Sequence, residues 1–145
     1  MASIVKNQLT EKCLRKILKL EGFSVIESES FNGKTGVDIE AGKAGVKYFI
    51  EVIGYKSSGS ARTKDFCEVF FRAVSRLDQQ ADKCVIALPS QASNGLPQRA
   101  KHYNKAWERI GSAFPELEIW LVDVCEKSLR KTQWNDRLAG ATNCG

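Results

Sequence analysis

Asp38 and Glu51 are the two residues of this chain whose type and position best suit metal-dependent chemistry. Glu51 lies within an apolar run at residues 46–53, which is typical of a strand covered on both faces. Burying an ionised carboxylate alone costs several kcal/mol, so Glu51 needs a counter-charge, a proton or a metal ion. Asp38 falls on the neighbouring predicted strand, and a divalent cation between two carboxylates would offset their repulsion. The pair therefore predicts an oxygen-rich metal site, which favours magnesium or manganese over zinc.

A predicted β-hairpin within residues 33–56 positions both acidic residues. Its two apolar-rich runs, at residues 36–41 and 46–53, flank a glycine-containing turn at residues 42–45. Glycine-rich loops of this length between alternating runs are typical of hairpins. The serine- and glycine-rich loop at residues 57–60 comes next, and it could close over a ligand or act as a plain connector.

Apolar residues at helical spacing predict three helices. The first ends at Glu21, with Gly22 as its C-cap. The second follows Thr63, which can cap it, and the third begins at Pro97. The apolar stripe of the third helix consists of Ala100, Tyr103, Trp107, Ile110 and Phe114. Outside the hairpin, strands are predicted at residues 23–27, 84–88 and 117–122, a turn at Asn32-Gly33, and a partly helical stretch after residue 122 that frays from residue 139.

The predicted order is helix, strand, strand, strand, helix, strand, helix and strand. Helices between the later strands favour an α/β domain with a mixed sheet. At 145 residues the chain suits a single domain, whose core we place at about residues 9–122 with an extension at 123–145. No run approaches about 18 apolar residues, so we expect no membrane partner. The first residues lack the pattern of a signal peptide, so we expect a cytoplasmic protein.

Cysteine and histidine content argues against a zinc site. The five cysteines are widely spaced without a CxxC pair, and we expect most of them to be small buried apolar residues in a reducing compartment. His102 is the single histidine, which leaves too few nitrogen ligands for a typical zinc centre.

Net charge and its distribution are compatible with a nucleic-acid partner. Lysine and arginine total 22 against 17 acidic residues, a formal charge of +5. The polar side of the third helix carries the densest basic cluster, formed by Arg99, Lys101, His102, Lys105 and Arg109. The second helix adds Arg72 and Arg76. Each of these faces could be solvated or could contact phosphates.

The element order, and the pattern of Asp38, a short hairpin and then Glu51, resemble the restriction-endonuclease-like, or PD-(D/E)XK, nuclease superfamily. The likeness covers roughly residues 9–122. The opening helix followed by Gly22-Phe23, and the stretch Thr35-Gly36-Val37-Asp38-Ile39, look especially like Holliday-junction-resolvase-type and Mrr-type members. The resemblance implies a three-layer domain with an α-β-β-β-α-β core, in which helices flank a mixed central sheet.

The resemblance also implies a magnesium or manganese site held by Asp38, Glu51 and the backbone carbonyl of Val52. Some members add a glutamate from the first helix, which Glu11 would match. The chain departs from the family where Ile53 occupies the position of the lysine that supports the attacking water.

Three basic residues are candidates to replace that lysine. Lys56 could reach the same face if Gly54 formed a bulge, and we expect it to be catalytic in that case. Lys47 already shares the strand face of Glu51, and Arg72 could approach from the second helix.

These observations leave three functional hypotheses open. The first is magnesium-dependent hydrolysis of nucleic-acid phosphodiester bonds, with DNA favoured over RNA and with Arg76, Lys101 and Lys105 contacting the nucleic acid. The second is a catalytically inactive nucleic-acid-binding module, with Ile53 recording the loss of the reaction. The third is a protein-interaction domain in which Glu51 pairs with a buried arginine such as Arg72. A homodimer is a further expectation, because many nucleases of this type cut as dimers.

Overall fold

The centre of the fold is one six-stranded mixed sheet whose strands lie side by side in sequence order. The computed structural model describes residues 4–26 and 37–137. The predicted turn at Asn32-Gly33, the fraying from residue 139 and Cys144 lie outside them. The strands are β1 (Ser24–Val25), β2 (Ile39–Lys43), β3 (Val46–Val52), β4 (Lys83–Pro89), β5 (Leu117–Asp123) and β6 (Ser128–Gln133).

The type of strand pairing changes twice across the sheet, from antiparallel to parallel and back. Strands β1, β2 and β3 pair antiparallel, β3, β4 and β5 pair parallel, and β6 returns antiparallel to β5. The helices are α1 (Asn7–Leu20), α2 (Gly59–Ser75), α3 (Gly95–Tyr103) and α4 (Lys105–Ala113). Two short 3-10 turns, Arg76–Gln79 and Ser90–Asn94, follow α2 and β4. The predicted α/β class and mixed sheet are confirmed.

Helices cover both faces of the sheet. On one face, α1 buries Leu14 and Leu18 in a cluster with Ile50 and Trp120 of the strands. The opposite face belongs to a second cluster, to which α2, α3 and α4 contribute together with the strands. Its members include Phe49, Phe66, Val69, Ile86, Ala100 and Trp107. Alternate residues of β3 therefore face different helices, which is why its sequence is apolar at both parities.

The hairpin between β2 and β3 is tighter than predicted. Ala44 and Gly45 have positive φ of 53° and 80°, the requirement of the two-residue turns that match strand twist. Strand β2 therefore continues through Lys43, and the predicted four-residue turn shortens to two. The resulting register pairs Ile39 with Ile50.

The second helix begins earlier than predicted. Ser58 caps α2 by accepting a hydrogen bond from the N–H of Ala61, so Thr63 lies inside the helix. The loop predicted at residues 57–60 is mostly the cap and first turn of this helix. A closing loop at this position is therefore not part of the fold.

The predicted third helix is two helices. Asn104 has a φ of 43°, which interrupts helical geometry between α3 and α4. Tyr103, expected in the apolar stripe, is the last residue of α3 and is 41% exposed.

The chain after residue 122 is also different from the prediction. It forms β6, because β5 would otherwise leave an unpaired edge, and helical residues begin only at Asp136. Trp134 then stacks on Trp107 at 3.9 Å between ring centroids, so the core extends beyond residue 122.

The cysteines correct a further expectation. Cys84 is buried and Cys13 is half-buried, whereas Cys67 and Cys125 are exposed. Cys67 is exposed because it follows the buried Phe66 and falls on the solvent side of α2. Within residues 4–26 and 37–137, no helix combines the length and apolar character that crossing a membrane requires.

Candidate functional site

The hairpin register brings Asp38 and Glu51 together. Asp38 immediately precedes β2, and extending the register by one step beyond Ile39 and Ile50 places it opposite Glu51. Residues directly opposite on antiparallel strands share one face of the sheet. The Oδ2 atom of Asp38 accepts a hydrogen bond of 2.8 Å from the backbone N–H of Val52. The backbone of Val52 thus contacts Asp38 through its N–H, whereas the resemblance implies a role for its carbonyl oxygen.

Two arginines, Arg72 of α2 and Arg76 at the start of the turn that follows it, supply positive charge to Glu51. The Nε atom of Arg76 donates to Oε2 of Glu51 at 2.9 Å, and the Nε atom of Arg72 lies 3.5 Å from Oε1. The side chain of Glu51 is only 1% exposed, and no described residue makes a hydrogen bond to its Oε1. We call Asp38, Glu51, Arg72 and Arg76 the carboxylate centre. Arg76, which we predicted as a nucleic-acid contact, pairs with Glu51 in this centre.

The ionisation of Glu51 reflects competing influences. Burial, and then the negative charge of Asp38, raise its pKa from 4.5 to about 7, while Arg76 and Arg72 act in the opposite direction. Glu51 therefore titrates near neutral pH. The arginines reduce the cost of ionising this carboxyl without removing it.

Among the described residues, no lysine stands beside Glu51 at the position that the resemblance implies. Ile53 shares the strand face of Glu51, is 6% exposed and packs into the core. Gly54 forms no bulge toward the site: its N–H donates to Asn7 at 2.6 Å, and an added Cβ would lie 2.1 Å from the carbonyl oxygen of Val5. The backbone after β3 is thus held by the N-terminal segment.

The other accessory candidates have different partners. Lys56 pairs with Asp65 at 3.0 Å, away from the carboxylate centre. Lys47 is exposed, with its ammonium 6.0 Å from the centre of the Phe49 ring. Glu11 pairs with Arg15 at 3.1 Å on α1, and the same guanidinium donates to the backbone carbonyl of Asp38 at 2.6 Å. Of the predicted residues, Asp38, Glu51, Val52, Arg72 and Arg76 come together directly, and Glu11 is linked to them through Arg15.

The chain also contains a cleft that sequence reasoning missed. It measures about 730 Å³ and opens at the carboxyl ends of β3 and β4, between the start of α2 and the helix α3. Ligands of open α/β sheets commonly bind at this edge, and that topological rule could have located it. Its lining includes Ile53, Tyr55, Arg62, Asp65, Phe66, Leu88, Leu96, Arg99, His102 and Tyr103. Neither Asp38 nor Glu51 belongs to the lining.

Two arginines of the cleft are held in place by neighbours. Arg62 donates to the carbonyl of Lys56 at 2.7 Å, and its guanidinium lies 4.7 Å from the ring centre of Tyr55. Arg99 donates to the hydroxyl of Thr63 at 3.2 Å and lies 5.0 Å from the ring centre of Phe66. Within the described ranges, neither guanidinium forms an ion pair with a carboxylate.

A second cationic feature borders the cleft. Lys101, Lys105 and Arg109 are exposed on α3 and α4, and we call them the basic surface. Among the described residues, no carboxylate lies within ion-pair distance of any of the three. Their charge is therefore available to an external anion.

Metal ligation has limited support in the described part of the chain. Residues 4–26 and 37–137 contain no group of three or more His, Cys, Asp or Glu side chains arranged to hold a metal ion. Magnesium needs only one or two carboxylates when phosphate and water complete its shell, so the pair in the carboxylate centre is a minimal donor set.

Comparison with protein-family profiles, curated proteins and solved structures found no match.

Proposed function

We propose that this chain is a nucleic-acid-binding domain that contacts backbone phosphates without hydrolysing them. The basic surface carries this proposal, because Lys101, Lys105 and Arg109 are exposed and unpaired among the described residues. Lysine and arginine bind nucleic acid by replacing the counterions of its phosphates. The net charge of +5 adds a favourable long-range attraction.

The carboxylate centre supports the absence of hydrolysis. Arg76 and Arg72 already provide the counter-charge that a metal ion would provide to Glu51. Ile53 places an apolar side chain where the family resemblance requires an ammonium group. A hydrolytic centre would therefore have to displace the arginines from Glu51, and it would still lack the lysine whose position Ile53 occupies.

The topology supports the family resemblance on which the proposal partly rests. One helix, three antiparallel strands, a second helix and a parallel strand follow one another from α1 to β4. This is the α-β-β-β-α-β order expected of a restriction-endonuclease-like domain. On this proposal the fold is retained and the reaction is lost.

Fluorescence anisotropy with a labelled DNA duplex tests the binding surface. We expect the Lys101→Gln/Lys105→Gln double variant to weaken binding by about tenfold at low salt and to reduce the salt slope by about two. The matched control is Lys12→Gln/Lys16→Gln, which removes the same charge at the same spacing from α1. Equal loss in both variants would show non-specific attraction and would contradict the proposed surface.

The same assay tests two expectations carried by the resemblance. We expect a DNA duplex to bind more tightly than an RNA duplex of the same sequence. Sedimentation equilibrium, with and without the duplex, tests whether the chain forms a homodimer.

Magnesium-dependent phosphodiester hydrolysis is the second candidate function. It is favoured by the opposition of Asp38 and Glu51 and by Oε1 of Glu51, which accepts no hydrogen bond from a described residue. Asp38, Glu51 and the carbonyl of Val52 would hold the cation. Such an ion would polarise a phosphate and lower the pKa of a bound water.

A plasmid-nicking assay separates the two candidates. With Mg²⁺ or Mn²⁺ present, we expect no nicking by the purified chain. Nicking that disappears in both Asp38→Asn and Glu51→Gln would replace the binding proposal with the hydrolytic one. Nicking that persists in both variants would indicate a contaminating nuclease.

A further inference from the structure

We propose that the cleft at the carboxyl ends of β3 and β4 binds the phosphorylated terminal nucleotide of a nucleic-acid strand. The inference rests on the proposed nucleic-acid binding and names the part of the ligand that the cleft takes. The basic surface would hold the backbone leading to that terminus. His102 of the cleft is the neighbour of the exposed Lys101 on α3, so the basic surface begins next to a residue of the cleft rim in the sequence.

The volume of the cleft suits a nucleotide better than a lone phosphate. Small-ligand sites measure roughly 300–1,000 Å³, and the cleft, at about 730 Å³, lies inside that range. An inorganic phosphate would leave most of this space to water. A phosphate joined to a sugar and a base would contact the polar and the aromatic parts of the lining together.

The charge of the lining suits a phosphomonoester. Arg62 and Arg99 each have a planar guanidinium whose position is set by an aromatic ring and a hydrogen bond. Asp65 is the acidic member of the lining, and Lys56 already pairs with it at 3.0 Å. A terminal phosphate carries roughly −1.5 to −2 charge at neutral pH, more than an internal phosphodiester, and guanidinium groups bind such oxygens bidentately.

Aromatic side chains at the rim suit the base. His102 and Tyr103 line the cleft, are exposed, and lie against each other with ring centroids 4.9 Å apart. Stacking of a base on such rings is sequence-tolerant, because every base has a π face. Tyr103 is the last residue of α3 before the break at Asn104, and it is 41% exposed.

The floor of the cleft explains why a terminus is preferred over an internal segment. Ile53, Phe66, Leu88 and Leu96 are buried core residues and close the cleft from below. A continuous strand would have to bend down towards this floor and back out again to place a phosphate there. A strand end needs only to enter.

The cleft site is distinct from the carboxylate centre. Glu51 precedes Ile53 by two positions, but its carboxylate is buried and absent from the lining. Binding of a terminal phosphate therefore does not require Asp38 or Glu51. The site recognises an end and leaves it intact.

Anisotropy with oligonucleotides of one sequence tests the inference. Three strands carry a 5′-phosphate, a 3′-phosphate or hydroxyls at both ends. We expect one phosphorylated strand to bind about tenfold more tightly than the hydroxyl-ended strand, and we expect Arg99→Gln to abolish that gain. The control Arg130→Gln removes the same charge from an exposed position on β6 and should keep the gain. Thermal unfolding of both variants checks that each is folded.

The outcomes separate this inference from the proposed function. Hydroxyl-ended strands that bind through Lys101 and Lys105, with no gain from either phosphate, would overturn the cleft site alone. A gain that survives Arg99→Gln would do the same. A phosphate gain without any effect of Lys101→Gln/Lys105→Gln would instead overturn the proposed basic surface. A nucleoside monophosphate that competes as strongly as the phosphorylated strand would overturn the strand end as the source of the ligand.

Discussion

The carboxylate centre and the cleft are separate sites near the end of β3, and they differ in how their charged groups are balanced. In the carboxylate centre, Arg76 and Arg72 approach a glutamate that is 1% exposed, so positive and negative groups meet inside the protein. In the cleft, Arg62 and Arg99 are held by rings, hydroxyls and carbonyls, which position them without neutralising them. The first arrangement uses charge for internal structure, and the second leaves it available to a ligand.

This difference shows that an acidic residue in a buried strand is weak evidence for a metal site. A counter-charge, a proton or a metal ion can balance the charge of such a residue. Which of them does so depends on the side chains of the helix that packs against the strand. Here α2 and the turn after it place two arginines four residues apart, at Arg72 and Arg76, over the strand that carries Glu51. A metal ion would have to compete with cations that are already in contact.

The largest expected effect comes from removing Arg76. Arg76→Met leaves Glu51 buried without its hydrogen-bonded partner, and breaking a buried pair in this way costs about 3–5 kcal/mol. Urea unfolding at pH 8, where Glu51 is ionised, measures the change in unfolding free energy. Arg130→Met is the exposed control and should change it by less than about 0.5 kcal/mol. Equal stability of the two variants would mean that Glu51 is balanced by some other group.

The pH dependence of stability should come next in size. Because the folded pKa of Glu51 is raised from 4.5 to about 7, the folded state binds this proton more tightly than the unfolded state does. Its contribution to stability is complete below pH 4.5 and is lost as the pH rises through 7. We expect the stability of the parent chain to fall by about 3 kcal/mol relative to Glu51→Gln over this window.

Urea unfolding of both proteins at several pH values from 4 to about 8 provides this measurement, since the glutamine side chain of the variant cannot titrate. Subtracting the variant cancels the other carboxylates. A difference that stays constant with pH would mean that Glu51 keeps an ordinary pKa, and a difference of opposite slope would mean that the arginines outweigh burial.

The smallest expected effect comes from Arg72. Its side chain is 45% exposed and its Nε lies 3.5 Å from Glu51, so solvent screens the interaction. Arg72→Met should lower the unfolding free energy by less than about 1 kcal/mol at pH 8. A loss as large as that of Arg76→Met would mean that both arginines are equally essential to the carboxylate centre. Comparing the buried Arg76 with the more exposed Arg72 therefore tests how much each arginine contributes to the stability of the carboxylate centre.

Local patterning predicted much of the architecture. Helical spacing located α1 and α2, and the alternation around residues 42–45 located the hairpin that sets the register of Asp38 against Glu51. These predictions succeeded because each depends on contacts between neighbours in the sequence. The turn length, the break at Asn104 and the strand β6 were missed, since each is decided by packing against distant elements.

The candidate site divides in the same way. The residue types and their positions on neighbouring strands predicted Asp38 and Glu51 as a pair, and Arg72 was a predicted counter-charge of Glu51. The commitment of Arg76 to Glu51 could not be predicted, because it depends on how α2 lies across β3. The binding of Lys56 to Asp65, likewise, follows from the path of the backbone after Gly54.

The sequence by itself determined which groups must be buried, their strand and helix periodicity, and the need of Glu51 for a partner. Only the tertiary structure decided that Arg76 and Arg72 are that partner, and that β3, β4, α2 and α3 enclose a cleft with unbalanced positive charge. The physical reason is the distance along the sequence between the residues that decide each feature. Periodicity and burial are fixed by residues within a few positions of one another, whereas a salt bridge or a cleft depends on atoms that only the packing of separate elements brings within a few ångströms.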